Sequence, residues 1–266
     1  MLSQDNTPVA AIYGFIKSLS FMLRMITTKQ EAILLTVALD VGKGENFRYQ
    51  IYSEYKGNRS STPEDLIVQL KLAKPMLDAF GIKYVSDATC EADDVIATYA
   101  KQAAANGYKV VIVSSDKDLM QLISDEIMFF DIIKKSYCSA EDVYEKFLVG
   151  PHQICDYLSM VGDRADNIPG IRGIGKQSAA KLLGIFDSLD GIYDNLNKIS
   201  DIKTKKMLEN GYELAMLSKR LVTLNENIPT VYRLEEMKWN GFNANIETIK
   251  EFLYTYSLES LIRILK

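Results

Sequence analysis

The stretch EADDVIATYAKQAAANGYKVVIVSSDKDLMQL, residues 91–122, changes its period part-way along. From Glu91 to Ala105 the apolar residues recur at helical spacing. Acids crowd the first turn, where the helix dipole favours them, and Asn106-Gly107 supplies a C-terminal stop. Val110–Val113 is then an unbroken apolar run, the mark of a strand buried on both faces. A helix feeding such a strand through one short turn is half of a parallel α/β unit. The neighbouring segments repeat the rhythm. AILLTVALD (32–40) reads as a buried strand ending at Asp40, IKYVSD (82–87) as a short strand, and EIMFFD (126–131) as another. Thr7-Pro8 opens a helix with Ile12, Phe15, Ile16, Leu19, Met22, Leu23 and Ile26 on the helical repeat; Thr62-Pro63-Glu64-Asp65 opens one that runs to Phe80. The expected fold is α/β, a mostly parallel sheet covered by helices. From residue 151 helices dominate, at 152–160, 175–184, 205–221 and 246–264. This implies an α/β lobe over 1–150 and a helical lobe over 151–266.

Composition narrows the chemistry. With 266 residues, 47% of them hydrophobic, the chain can bury one large core or two lobes. The longest apolar run, AILLTVAL, is far short of a membrane span, and MLSQDNTP lacks the basic-then-apolar order of a signal peptide. Cys90, Cys138 and Cys155 have neither pairing nor metal spacing and read as reduced, buried thiols of a cytoplasmic protein. His152 is the single histidine, which excludes His-rich zinc sites and Ser-His-Asp catalysis. A net charge of −4 argues against a uniformly basic nucleic-acid binder. The charges are nevertheless segregated: lysines bunch at KTKK (203–206) and SKR (218–220), and acids elsewhere.

The acids fall where a parallel sheet exposes its functional edge. Asp40 and Asp116 each follow a buried strand, and the carboxyl ends of parallel strands are where such folds place their sites. Asp118 lies two residues beyond Asp116. Glu91, Asp93 and Asp94 open a helix, with Glu91 and Asp94 on one face, and Asp163 and Asp166 share the same spacing. Singly, each has a structural alternative as a helix cap or an Asx turn. Together they cannot converge while ionised and unpaired, since like charges ~4 Å apart repel by several kcal/mol. They must take up protons or bind cations, and an oxygen-only donor set matches Mg²⁺ or Mn²⁺. Two such ions would make a phosphodiester-hydrolysing centre.

The stretches CEADDVIATYA, VVIVSSDKDLMQLI, YLSMVGDRADNIPGIRGIGKQSAAKLL and FRYQIYSEYKGNRSSTPEDLIVQL closely resemble the 5′-nuclease domain of bacterial DNA polymerase I, which groups with phage 5′-exonucleases and flap endonucleases. The resemblance runs from about residue 8 to the C-terminus. It implies a PIN-like or resolvase-like α/β lobe with a helical arch over about 42–62, and a DNA-binding lobe with a helix-3-turn-helix, a variant of the helix-hairpin-helix. It assigns Asp40, Glu91, Asp93, Asp94, Asp116, Asp118, Asp163 and Asp166 as ligands of two Mg²⁺ or Mn²⁺ ions. Lys56 and Arg59 become arch residues that contact the scissile phosphate, with Arg48 as a further DNA contact and Tyr55 as a ring stacking on a base. Solvated loop charges and a core aromatic are the alternatives for Lys56, Arg59 and Tyr55. Gly170, Gly173, Gly175 and Lys176 would grip duplex backbone, with K⁺ at the hairpin turn. The implied activity is that of a monomeric 5′-3′ exonuclease and flap endonuclease. Its substrates would be 5′ flaps, gapped or nicked duplexes and RNA primers on DNA, in cooperation with a DNA polymerase and away from membranes.

One departure stands out. The family begins with a strand reading roughly Leu-Ile-Asp-Gly, whose Asp is a metal ligand, and no apolar strand precedes Asp5 here. The expectation is an N-terminally truncated sequence; the alternative is a catalytically impaired DNA-binding module using the helix-hairpin-helix region.

Overall fold

The computed structural model describes residues 1–3, 5–26, 33–42 and 45–265. Ala32, the first residue of the expected 32–40 strand, and Lys43 and Gly44 of the expected arch lie outside the described residues. By packing, the chain forms two compact units that interleave in sequence. Residues 1–39, 60–86 and 229–266 make the first, and residues 40–59 and 87–228 the second.

In the first unit, helix α1 (Ala10–Ile26) buries Ile12, Ile16, Leu19, Met22 and Leu23, a stripe at 3–4 residue spacing. The expected 32–40 strand is divided. β1 (Ile33–Leu34) pairs antiparallel with Lys238–Trp239, whereas β2 (Thr36–Ala38) runs parallel to β3 (Lys83–Val85). The helix expected to reach Phe80 breaks at Leu72 into α3 (Glu64–Lys71) and α4 (Ala73–Ala79). Trp239 Nε1 donates to the Phe80 carbonyl at 3.0 Å, and the last helix of this unit, Ile246–Thr255, packs on α4.

The second unit carries a helix, α5 (Ala92–Ala105), followed by β4 (Val110–Ser114), parallel to β5 (Ile127–Asp131) in full register; β6 (Ser136–Cys138) adds an antiparallel edge. The parallel pairings agree with the sequence reading, but β2–β3 and β4–β5–β6 are separate sheets. Helix α2 (Phe47–Ile51) precedes these elements, and helices α6 (Ala140–Phe147), α7 (Ile154–Val161), α8 (Lys176–Phe186), α9 (Leu189–Asp194) and α10 (Ile202–Val222) follow them. One apolar cluster joins Ile112 and Phe129 of the sheet to Tyr157, Leu183, Leu208 and Leu221 of the helices, so both kinds of element share a core. Of the three thiols only Cys90 is buried; Cys138 and Cys155 are half-exposed, and all three are free.

Candidate metal centre and nucleic-acid interface

All eight acids lie in the second unit. Glu91 caps α5, with Asp93 and Asp94 in the first turn. Asp40 Oδ1 accepts from the Ala92 amide at 2.9 Å, which ties it to the same helix start. Asp116 Oδ1 accepts from the Asp118 amide at 3.0 Å and so starts the 3-10 helix Lys117–Leu122. Asp163 and Asp166 share a turn closed by the Asp163–Ile168 bridge. These groups feel one another. Burial first, and then the charges of Asp116, Glu91 and Asp40, push the Asp93 carboxyl up to about 8. Burial, then Asp116 with Asp163 and Asp166, pushes Asp118 up to about 7.

What differs among the eight is the neutralising partner. Arg48 reaches Asp94 through two hydrogen bonds, 2.5 and 2.7 Å long, and also donates to the Leu221 and Thr223 carbonyls. Asp94 accepts further from the Glu91 and Asn225 amides. Arg48 and Asp94 are 2% and 0% exposed. This corrects two expectations: Arg48 faces no DNA, and Asp94 has its oxygens taken by structural donors. A guanidinium so deeply desolvated persists only with a paired carboxylate.

A second set is held by long, less deeply buried cationic side chains. Lys56 Nζ lies 2.6 Å from Glu91 Oε1 and 3.6 Å from Asp166 Oδ2; Arg59 also pairs with Asp166, and Lys117 Nζ is 2.5 Å from Asp163 Oδ2. The expected arch is therefore not open here. After a five-residue helix, α2 (Phe47–Ile51), the segment docks on the 163–168 turn. The Lys56 amide donates to the Asp166 carbonyl at 2.9 Å, Asn58 to Arg164 at 2.6 Å, and Asn167 to Glu54 at 2.7 Å. Tyr55 is 2% exposed, packs edge-on against Tyr49 and donates its hydroxyl to Glu91 at 3.1 Å. Its ring is a core aromatic and not a surface for stacking a base.

Asp40, Asp93, Asp116 and Asp118 remain. Among the described residues none of them has an ion pair, and Asp118 Oδ1 is buried without any hydrogen-bond partner. Arg48 balances Asp94; Lys56, Arg59 and Lys117 balance Glu91, Asp163 and Asp166. Four carboxyl groups are left over, and their full ionisation would match the charge of two divalent cations. The donor chemistry and the orphaned oxygen fit such ions. The tight convergence expected of the acids is not found: among the described residues no three Asp, Glu, His or Cys side chains are gathered closely enough to hold an ion. Without a cation the crowding is relieved by protons, which Asp93 keeps up to about 8 and Asp118 up to about 7.

The glycine turn plays two parts. Gly170 has φ +62° and is buried; its amide donates to Ser218 Oγ at 3.0 Å, and a Cβ there would stand 2.4 Å from the Gly162 nitrogen. Gly170 thus fastens the hairpin from inside instead of touching a ligand. Gly173 (φ +91°), Gly175 and Lys176 are exposed, and Gly175 leaves the first turn of α8 without a side-chain cap, its amides free for an anion. Beside Gly173 opens a cleft of about 700 Å³ lined by Arg172, Asp201, Lys203, Lys206 and Met207. Arg172, Lys203 and Lys206, which the motifs did not single out, are its exposed cations; the clustered KTKK was the signal for the two lysines, and Arg172 lies inside GIRGIG. Lys117 went equally unnoticed in the sequence, and its signal was its place between Asp116 and Asp118.

Comparison with known proteins decides what this arrangement belongs to. A family model described as the 5′-3′ exonuclease, N-terminal resolvase-like domain, matches residues 1–148, and that of the 5′-3′ exonuclease, C-terminal SAM fold, matches residues 149–245. The chain belongs to the 5′-3′ exonuclease family. DNA polymerase I of Rhizobium leguminosarum is 39% identical over 262 residues, covering 97% of this chain and 26% of the relative. The Bacillus subtilis DNA polymerase I is 35% identical over 268 residues, covering 98% and 30%. The chain thus spans less than a third of the length of these curated relatives. Among solved structures, the bacteriophage T5 5′-exonuclease with bound zinc superposes with a TM-score of 0.64 at 24% identity, covering 99% of this chain and 93% of that one. A T5 flap endonuclease solved with DNA and metal ions gives 0.66 at 25% identity, covering 93% and 91%. The family's resolvase-like and SAM folds account for the parallel strand pairs and for the helices that follow them.

Proposed function

We propose that this chain hydrolyses phosphodiesters at 5′ ends and 5′ flaps of duplex DNA, with Mg²⁺ or Mn²⁺ as cofactor. The observation that carries the reading is the surplus of four carboxyl groups, Asp40, Asp93, Asp116 and Asp118, with no ion pair among the described residues, inside a chain of the 5′-3′ exonuclease family. These residues would hold two divalent ions, with Glu91, Asp163 and Asp166 beside them. The chemistry such ions supply is activation of a water nucleophile and neutralisation of charge on the phosphate. Lys56 and Arg59 would orient the phosphate once freed from Glu91 and Asp166. The uncapped first turn of α8, Gly173, Gly175 and Lys176 would hold the duplex backbone, with K⁺ at the turn. RNA primers on DNA, gapped or nicked duplexes, a monomeric state and cooperation with a DNA polymerase belong to the same reading.

A labelled 5′-flap duplex incubated with the protein and Mg²⁺ should be cut near the junction. EDTA and Asp116→Ala should abolish the cut. A second reading, a DNA-binding module without catalysis, is favoured by the absence of a gathered ligand set among the described residues. It predicts junction binding that is indifferent to Mg²⁺ and to Asp116→Ala, with no cleavage.

A further inference from the structure

Lys117 occupies an odd position. It lies between Asp116 and Asp118, yet its ammonium crosses to Asp163. Asp116 Oδ1 accepts from the Asp118 amide at the start of the 3-10 helix, and the Lys117 ammonium, though it feels both neighbouring acids, makes its ion pair with Asp163. Lys56 reaches Glu91 and Asp166 out of the segment that docks on the 163–168 turn. Positive charge is therefore concentrated on Glu91, Asp163 and Asp166, while Asp118 keeps an orphaned oxygen. Lys117 and Asp163 are 32% and 8% exposed, so the pair is reachable from solvent and not sealed as Arg48–Asp94 is.

We infer that Lys117 and Lys56 are exchangeable internal counter-ions of the metal centre: they hold Asp163 and Glu91 in the metal-free protein, divalent cations displace them, and the displaced ammonium groups become available to a phosphate. The inference rests on the two-cation reading proposed above. Its physical basis is competition. An ammonium on a carboxylate oxygen neutralises the charge that would attract a divalent ion and occupies one of its donor positions, so the two cations compete for it. The lysines therefore weaken metal binding, and metal binding in turn loosens the lysines, by reciprocal linkage. The arrangement also limits self-repulsion in the metal-free state, because three of the seven carboxylates outside the Arg48 pair are already neutralised.

Two measurements on the full chain test this without relying on cleavage. The first is Mn²⁺ binding, read from loss of the free-ion electron paramagnetic resonance signal. Lys117→Met should bind Mn²⁺ about tenfold more tightly than the wild type, and Lys117→Arg, which keeps the pair, about as the wild type does. Unchanged or weaker binding by Lys117→Met overturns the inference while leaving the two-cation reading intact. Failure of the wild type to bind Mn²⁺ at all overturns both. The second uses the wild type alone and so does not depend on a variant folding. Amine-reactive labelling with mass-spectrometric readout should modify Lys117 and Lys56 several-fold faster in Mg²⁺ than in EDTA. Lys219, paired with Asp156 and Asp190, serves as the unchanged control. Equal labelling of Lys117 and Lys56 with and without Mg²⁺ overturns the exchange.

Discussion

Arg48 and Asp94 face each other through two parallel hydrogen bonds in a place closed to water, and their remaining polar atoms are bonded to Leu221, Thr223, Glu91 and Asn225. The pair ties α2 and the head of α5 to the C-terminal end of α10. Breaking a buried pair by removing one partner leaves the other charge uncompensated. Asp94→Ala is accordingly expected to lower stability by about 3–5 kcal/mol, and Arg48→Met by a similar amount. The double variant Arg48→Met, Asp94→Leu should lose much less than the sum. Urea unfolding of the three variants checks this, and strict additivity would show that the two residues act separately.

Gly170 is a structural point where the sequence suggested a backbone grip on DNA. Its φ of +62° disfavours any side chain, and a Cβ would press on backbone atoms of Val161 and Gly162 that have no flexible end to move. Gly170→Ala should destabilise by roughly 2 kcal/mol or more and reduce duplex binding only in proportion to the unfolded fraction. Gly175 has φ −99° and nothing within 4 Å of its Cβ position, so Gly175→Ala should leave the fold stable. Denaturation curves for the two variants, side by side, separate a fastening glycine from a surface one.

The fold class was legible because periodicity reports which element forms: the apolar run Val110–Val113 became a strand and the α1 repeat a helix, although only Ile112 of the run is fully buried and Phe15 of the repeat is exposed. The division of 32–40 between β1 and β2 was not legible. It depends on pairing with Lys238–Trp239, some two hundred residues away, and no local pattern records that. The acids were legible as a group, since clustered carboxylates after strands have few structural uses. Their division into neutralised and unneutralised sets was not, because it is set by which lysine reaches across space. Asp94 and Asp93 are adjacent in sequence and point into different environments, one onto Arg48 and the other toward Asp116. Tyr55 illustrates the same limit: its neighbours Lys56 and Arg59 suggest a surface, whereas the chain turns its ring inward.

The cleft beside Gly173 extends the exposed part of the hairpin with three cations, Arg172, Lys203 and Lys206, against one acid, Asp201. Each ammonium that neutralises a duplex phosphate releases counterions, so its removal should flatten the salt dependence of binding. Replacing Lys203 and Lys206 together with glutamine should weaken duplex affinity at low salt by tenfold or more. It should also reduce the slope of log K against log salt by about 0.9 for each phosphate no longer neutralised. Fluorescence anisotropy at several salt concentrations checks both. An unchanged slope would remove the cleft from the interface.

The metal centre makes a prediction of its own about pH. Asp93 in the folded chain keeps its proton up to about 8, against 3.8 for the ordinary group, because burial and then the charges of Asp116, Glu91 and Asp40 oppose its ionisation. Asp118 behaves alike up to about 7. Between 3.8 and these values the folded state binds more protons than the unfolded state, so these two groups make stability fall as pH rises. The contribution is fully present below the unfolded value and is lost as pH passes through about 7 to 8. Divalent cations at the same carboxylates remove the repulsion that causes the loss. At low pH, however, they must first displace a proton. Mg²⁺ should therefore raise Tm little near about pH 5 and substantially near about pH 8, and Asp93→Asn should flatten that difference while raising Tm in EDTA at the higher pH. Thermal unfolding at the two pH values, with Mg²⁺ and with EDTA, decides it. A Mg²⁺ gain that is equal at both would show that Asp93 and Asp118 do not face the bound cations.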